Sequence, residues 1–337
     1  VIPTLKYEDF LKYHEEYYHP SNSYIYIYGD MDVNERLEYL DREYLSDFDV
    51  SDVDIHANIE RQAAFDKPVY ETKPYAITED ESLEDNTYLS YNAVIGTSVD
   101  AKLYLAFQIL DYALVMTPGA PVKQALLDAG ISTDVYSSYE TSLYQPVYSI
   151  VAKNSNSKEQ DRFVSVINDT LEKLVKDGIN ERTIEAGINY YEFKYREADY
   201  GPYPKGLMYY LTMMDSWLYD ETKPFIHIEA GDTFDELKKN ARNGYFEKLI
   251  KEYLLDNNHK SIISLVPEYG LEKEKEQKEA DKLAEYKSTL TNDELEELVK
   301  KTKELKEYQD TPSSQEDLEK IPMLERSELK ESLLRII

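Results

Sequence analysis

The strongest constraint on the fold is the way short β-branched or aromatic runs interleave with longer amphipathic stretches from Val69 to Val266. Val69 to Ile77 and Asn86 to Ile95 alternate well enough to predict strands, parted by the acidic turn Glu79-Asp80-Glu81. Asp100 is a good cap for a helix from Ala101 to Val115, with Leu103, Phe107, Leu110 and Leu114 on one stripe. Thr117-Pro118-Gly119-Ala120-Pro121 breaks that helix. Pro121 suits the first turn of a short helix running to Ala129 and closed by Gly130. Strands are predicted over Thr133 to Glu140 and Val147 to Lys153. Ser157 with Gln160 then reads as a capping box for a helix carrying Phe163, Ile167, Leu171 and Leu174, stopped by Gly178. Asn180 caps the next helix, to about Tyr195. After the break at Gly201-Pro202-Tyr203-Pro204, Leu207, Tyr210, Leu211, Met214 and Trp217 mark another. A helix from Phe234 to Leu255 leads to a last strand, Ser261 to Val266. Residues 67–267 therefore read as one α/β domain with a mixed or mostly antiparallel sheet and helices on one face.

Two different segments flank it. In residues 1–66 a helix starts at Thr4 or Lys6, Tyr24 to Tyr28 (YIYIY) reads as a buried strand, and Asp32 opens a helix holding Leu37, Leu40, Tyr44 and Leu45. A lone strand between two helices cannot bury both faces, so this segment is expected to be the later part of a larger α/β domain. The acidic stretch from Phe48 to Asp66 reads as a linker. Residues 268–337 change to dense Glu and Lys with sparse leucines. Thr291-x-x-Glu294 is a capping box there, and Leu295, Leu298, Val299 and Leu305 form a narrow seam on a charged helical hairpin. Such a seam either packs on a partner surface or stays solvated.

Composition removes several function classes. The chain has 337 residues and no cysteine, so disulfides, thiolate nucleophiles and thiolate metal sites are excluded. A net charge of -29 opposes a nucleic-acid backbone or an anionic membrane and favours cationic peptides if the charge lines a cavity. No apolar run suggests a membrane span and no basic-then-apolar leader opens the chain, so a soluble, cytoplasmic protein is expected. The 32 tyrosines are read as amphipathic filler of core and rim.

The one tempting metal pattern is His14, Glu15 and His19. In the His-Glu-x-x-His arrangement the histidines are four apart and share a helix face. Here they are five apart, which turns the rings about 140° away from each other, and Pro20 ends the helix. No metal ligand and no catalytic residue is assigned. There is no Gly-x-Ser-x-Gly and no phosphate loop. A self-contained hydrolase using His14, His19 and Glu15 or Glu16 would need a different helix geometry.

Tyr17-Tyr18-His19-Pro20-Ser21-Asn22 followed by Ile27-Tyr28-Gly29-Asp30 resembles a segment of the pitrilysin/insulinase-type zinc metallopeptidases, closest to the presequence-protease branch. Thr117 to Gly130 (TPGAPVKQALLDAG) resembles that branch's Thr-Pro turn and short helix. Glu192-Phe193, Arg196-Glu197 and Gly201-Pro202-Tyr203-Pro204-Lys205-Gly206-Leu207 are similar to a further run, and the charged hairpin matches the linker joining the two halves of those enzymes. The resemblance implies a peptidase that degrades oligopeptides in an enclosed chamber, with a zinc-activated water and a glutamate base. The family's His-x-x-Glu-His is absent around all five histidines, His14, His19, His56, His227 and His259. Zinc and base are thus expected in the parent protein and not in this chain, whose partners would be oligopeptides and the parent's other domains. The resemblance also implies an edge strand that holds the peptide's N-terminal end, which maps onto Met116, Thr117 and Gly119 in a turn and Tyr136, Ser137 and Tyr139 in a strand. Ordinary turn and core strand are the plain alternative, as a stand-alone peptide-binding or assembly module is to the parent's function.

Overall fold

The structure is a computed structural model that describes residues 4–49, 59–321 and 323. The chain divides into two compact units, Val1–Tyr269 and Gly270–Ile337. His56 and part of the acidic linker, residues 50–58, lie outside the described residues, as do 322 and 324–337 of the hairpin region.

The first unit is built on a five-stranded sheet of β1 (Val69–Ile77), β2 (Thr87–Val94), β3 (Asp134–Glu140), β4 (Val147–Ser155) and β5 (Lys260–Tyr269) in the order β1-β5-β2-β4-β3. Only β1 and β5 run parallel; the other neighbours are antiparallel. The sequence alternation of β2 is met directly: every second residue from Thr87 to Ala93 is buried, and those between are half-buried. Tyr91 sits at the centre, opposite Ile150 of β4 and Ile262 of β5. Its hydroxyl donates to the Leu254 carbonyl.

Helices cover the face that carries Tyr91. They are α3 (Ala101–Asp111), α4 (Pro121–Asp128), α5 (Gln160–Asp177), α6 (Glu181–Glu197), α7 (Lys205–Trp217), α8 (Gly231–Asn240) and α9 (Tyr245–Leu249), preceded by α1 (Tyr7–Tyr17) and α2 (Val33–Glu43). Asp100 caps α3 by accepting from the Leu103 amide at 3.0 Å. Phe163, Ile167 and Leu171 are the buried stripe of α5, each contributing roughly 1.5–3 kcal/mol by its burial. By length and composition Ala101–Asp128 would pass as a membrane span. In the fold it is broken by the turn at Thr117, and Phe107, Leu110, Leu114, Val122 and Leu126 fill the core.

Several expectations are corrected. Tyr24–Tyr28 is extended but joins no ladder among the described residues. It lies on α7 instead, with Tyr24 against Trp217, Tyr26 against Tyr210 and Tyr28 against Tyr209, ring centroids 4.7, 5.3 and 5.8 Å apart. Alternating aromatic residues suit any half-buried extended segment, and here the face that carries the tyrosines meets a helix. The helix expected through His19 stops at Tyr17, because a residue before proline is driven to extended backbone; His19 has φ -106° and ψ 144°. The Ser157 capping box does not form. Asn156 caps a short turn over Ser157–Glu159 instead, accepting from the Lys158 amide. The helix expected from Phe234 to Leu255 is interrupted after α8, and Gly244 (φ 70°) leads into α9 and a π-helical stretch, Ile250–Leu255.

The chain before β1 is tied down on both sides. Gln62 and Gln145 exchange hydrogen bonds between backbone and side-chain amide, and Asn258 donates to the Asp66 carbonyl. The second unit holds α10 (Leu271–Thr289), α11 (Asn292–Asp310) and α12 (Gln315–Glu319), with no buried residue in any of them. The Thr291 to Glu294 capping box is complete in both directions.

Gly206 marks where α7 meets the extended segment, since a Cβ there would collide with the Tyr28 ring. Gly206→Ala should gain roughly 1 kcal/mol in helix propensity but lose more, about 1–3 kcal/mol, by overpacking. Faster proteolysis between residues 20 and 30, with a lowered Tm, is the expected outcome. Unchanged protection would show that Tyr28 does not depend on this contact.

Candidate peptide-binding edge

β3 ends the sheet, and no strand pairs on its far side among the described residues. Alternate residues of such a strand aim amide and carbonyl groups outward, free to pair with an added strand. Beside it, α3 does not stop cleanly. Its last turn widens into a π-helical stretch, Tyr112–Met116, whose Cα atoms approach β3 within 8 Å. The Tyr112 carbonyl accepts from the Thr117 amide, and the Thr117 carbonyl from the Ala120 amide at 3.0 Å. Pro118 and Gly119 (φ 72°) occupy the corner of this tight turn, where a side chain at 119 would meet open space but a strained backbone.

The six residues singled out from the sequence fall into three settings. Met116, Thr117 and Gly119 form the turn, Met116 being 49% exposed. Tyr136 points to the uncovered face of the sheet and is 45% exposed. Ser137 and Tyr139 point to the helix-covered face, with hydroxyl oxygens buried and unpartnered.

Sequence reasoning missed the polar groups beneath this edge. Asp111 is the only carboxylate in the apolar run from Leu103 to Met116, and a charge in such a run is costly to bury. It is buried at the end of α3, where desolvation raises its pKa and the nearby Ser137 and Tyr148 hydroxyls partly offset the rise. Tyr104 donates to Asp215 at 2.8 Å, and desolvation raises the pKa of both groups. His227 stacks on Tyr104 at 3.9 Å and places Nε2 2.8 Å from the Ser98 carbonyl. Burial pushes its pKa down to about 4, so at neutral pH the ring is uncharged, with Nε2–H donating.

None of these groups is arranged for bond cleavage. His227 is closed off from solvent with Nδ1 unpartnered, and no serine or threonine hydroxyl bonds to it. His14 and His19 do not fit a zinc site: His14 stacks on Tyr18, and His19 Nδ1 accepts from the Ser21 amide at 3.1 Å. Among the described residues no three His, Asp or Glu side chains gather as a metal set. Arg196 is held by Glu192 one helical turn away.

The first unit is thus a mostly antiparallel sheet with helices on one face that ends at β3, and no metal-ligand set gathers among the described residues. The chain belongs to the M16 peptidase family, matching the peptidase M16 inactive domain over residues 4–191. A second family, described as associated with these peptidases, matches residues 265–336. The chain is 41% identical to Protein HypA of Clostridium perfringens over 99% of its own length and 34% of that protein. It is 32% identical to Presequence protease 1, chloroplastic/mitochondrial, of Arabidopsis thaliana over 96% of its length and 30% of that protein. It thus spans about a third of the length of these curated relatives. A crystal structure of a protease from Helicobacter pylori shares the fold, with a TM-score of 0.58 at 14% identity, covering 79% of this chain and 60% of that one.

The buried imidazole makes stability pH-dependent. The folded pKa of His227 lies below the ordinary 6.5, so as pH falls the unfolded chain takes up the proton first. Stability is then lost between about pH 6.5 and pH 4, by at most about 3 kcal/mol. The raised carboxyls of Asp111 and Asp215 act in the opposite sense, so the contrast must be read against a variant. His227→Gln keeps a donor for the Ser98 carbonyl, and its Tm should fall less than wild type from pH 7 to pH 4. Parallel Tm curves would remove His227 as the cause.

Proposed function

We propose that this chain is a non-catalytic wall of a zinc-dependent endopeptidase that degrades oligopeptides in an enclosed chamber, and that β3 takes the peptide as an added strand. The free edge of β3 beside the turn from Met116 to Ala120 is the observation that carries this reading. Strand addition draws affinity from the backbone and tolerates many sequences, which suits a general degrader of peptides. The acidity of the chain favours cationic peptides. In this reading residues 1–66 complete the first peptidase domain of the parent, 67–267 form the second, and 268–337 are the linking hairpin. Zinc and the glutamate base belong to the parent's other segments, consistent with histidines here that serve as stacking and capping groups.

A fluorescent, unstructured basic peptide should bind the chain. The same peptide N-methylated at alternate residues along one edge should bind at least tenfold more weakly. Equal affinity would show that backbone pairing is not the mode. Incubation with zinc, read by mass spectrometry against a chelator control, should leave the peptide intact. Chelator-sensitive cutting would overturn the non-catalytic reading, whereas an affinity that does not rise when the parent's other domains are supplied would favour a stand-alone peptide-binding module.

A further inference from the structure

A cavity of about 580 Å³ opens at the end of the sheet where β2 and β3 begin and β4 ends. That size suits a small molecule. Among the described residues three other than glycine have left-handed backbone, and two of them, Asp85 (φ 51°) and Asn154 (φ 58°), line this cavity. Such backbone is uncommon outside glycine and persists where the surrounding structure imposes it. At Asn154 the cause is a β-bulge: β4 advances three residues, from Ala152 to Ser155, where β2 advances two, between Leu89 and Thr87. A bulge re-aims the side chain it carries. The Asn154 amide turns to the loop before β3 and donates to the Thr133 hydroxyl at 3.1 Å.

Two opposite charges are left open here. Asp85 and Lys158 both line the cavity, yet they form no ion pair with each other, and neither side chain has another polar partner among the described residues. The second acid of the lining, Glu159, is already engaged by Arg162 at 3.1 Å, which also donates to the Ala129 carbonyl. The uncharged groups offer both hydrogen-bonding senses. Asn154 Oδ1 is an open acceptor, and the Thr133 hydroxyl, which accepts from Asn154, keeps its own proton to donate. Ile131, buried, and Leu127, half-buried, make part of the lining apolar. A simple anion entering this space meets Asp85, and a simple cation meets Lys158, each with like-charge repulsion. A molecule carrying both an ammonium and a carboxylate answers both charges with charge-assisted hydrogen bonds.

We infer that this cavity is a binding site for a small zwitterion, a free α-amino acid or a dipeptide with an apolar side chain. Asp85 and Asn154 Oδ1 accept from its ammonium. Lys158 and the Thr133 hydroxyl donate to its carboxylate, and the apolar side chain lies on Ile131 and Leu127. The site does not depend on strand addition at β3, since none of these residues belongs to that strand.

The test is calorimetry and saturation-transfer NMR on the full 337-residue chain, with L-leucine and the dipeptide Leu-Leu as probes. At least one should bind, and the tighter of the two identifies which zwitterion the cavity takes. N-acetylation of that probe removes its ammonium, and amidation removes its carboxylate; each should weaken binding at least tenfold. Asp85→Asn keeps a residue type that tolerates left-handed backbone. It should reduce the discrimination against the acetylated form to less than threefold while keeping that against the amide. Lys158→Gln should do the reverse. Neither substitution removes a polar contact of the fold, so both variants report on the ligand. If neither leucine nor Leu-Leu binds, the site is overturned. It is equally overturned if a blocked form binds as well as the zwitterion, or if the discrimination survives both substitutions.

Discussion

The first unit depends on one knot at the centre of its sheet. Tyr91 of β2 crosses under the helices to donate to the Leu254 carbonyl at the end of a π-helical turn, and Lys260, the first residue of β5, donates to the carbonyls of Leu254 and Leu255. The Lys260 ammonium also stands 5.5 Å from the Tyr91 ring centroid. Helix ends leave carbonyls without partners, and burying them needs donors from elsewhere. One lysine and one tyrosine meet that need and, in doing so, fix where β5 enters between β1 and β2. The buried charge is therefore tied to the sheet order itself.

A second buried constraint acts on the same helix-covered face, towards the β3 end of the sheet. α3 carries its apolar face into the core up to Asp111, and the widening into a π-helical turn then carries the chain out towards Met116 and the corner at Gly119. The turn that lies beside the edge strand thus comes from one irregularity in one helix. Irregular helix geometry of this kind often accompanies function, because it aims groups that a regular helix would not.

Much of the fold was legible because local and tertiary demands agree. The alternation of β2, the Asp100 cap, the stripe of α5 and the Thr291 capping box each specify what they form. The misreadings have physical reasons. Tyr24–Tyr28 has the composition of a strand, but composition records a half-buried extended segment and not what covers it. The break between α8 and α9 rests on Gly244, a residue a helical pattern tolerates until the backbone is seen to turn left-handed. At the edge, the Pro118-Gly119 corner was readable from turn chemistry, and β3 from its alternation. Asp111 is not legible, because one acid in an apolar run carries no motif, and the Ser137 and Tyr148 hydroxyls that offset its burial come from two strands that only sheet pairing brings together.

The parallel pairing of β1 with β5 has a mechanical consequence. Val69 pairs with Ser261 at one end of the ladder and Ile77 with Tyr269 at the other. The chain enters β1 from the linker side and leaves β5 directly into Gly270. Tension applied to the polypeptide from before β1 and from after β5 therefore pulls the two strands past each other along their length. Every hydrogen bond of the ladder is loaded together in shear, where an antiparallel pair pulled from adjacent ends would open one bond at a time. The ladder thus joins the segments on its two sides as a stiff clamp rather than a zip, able to pass a displacement from one to the other without the domain coming apart.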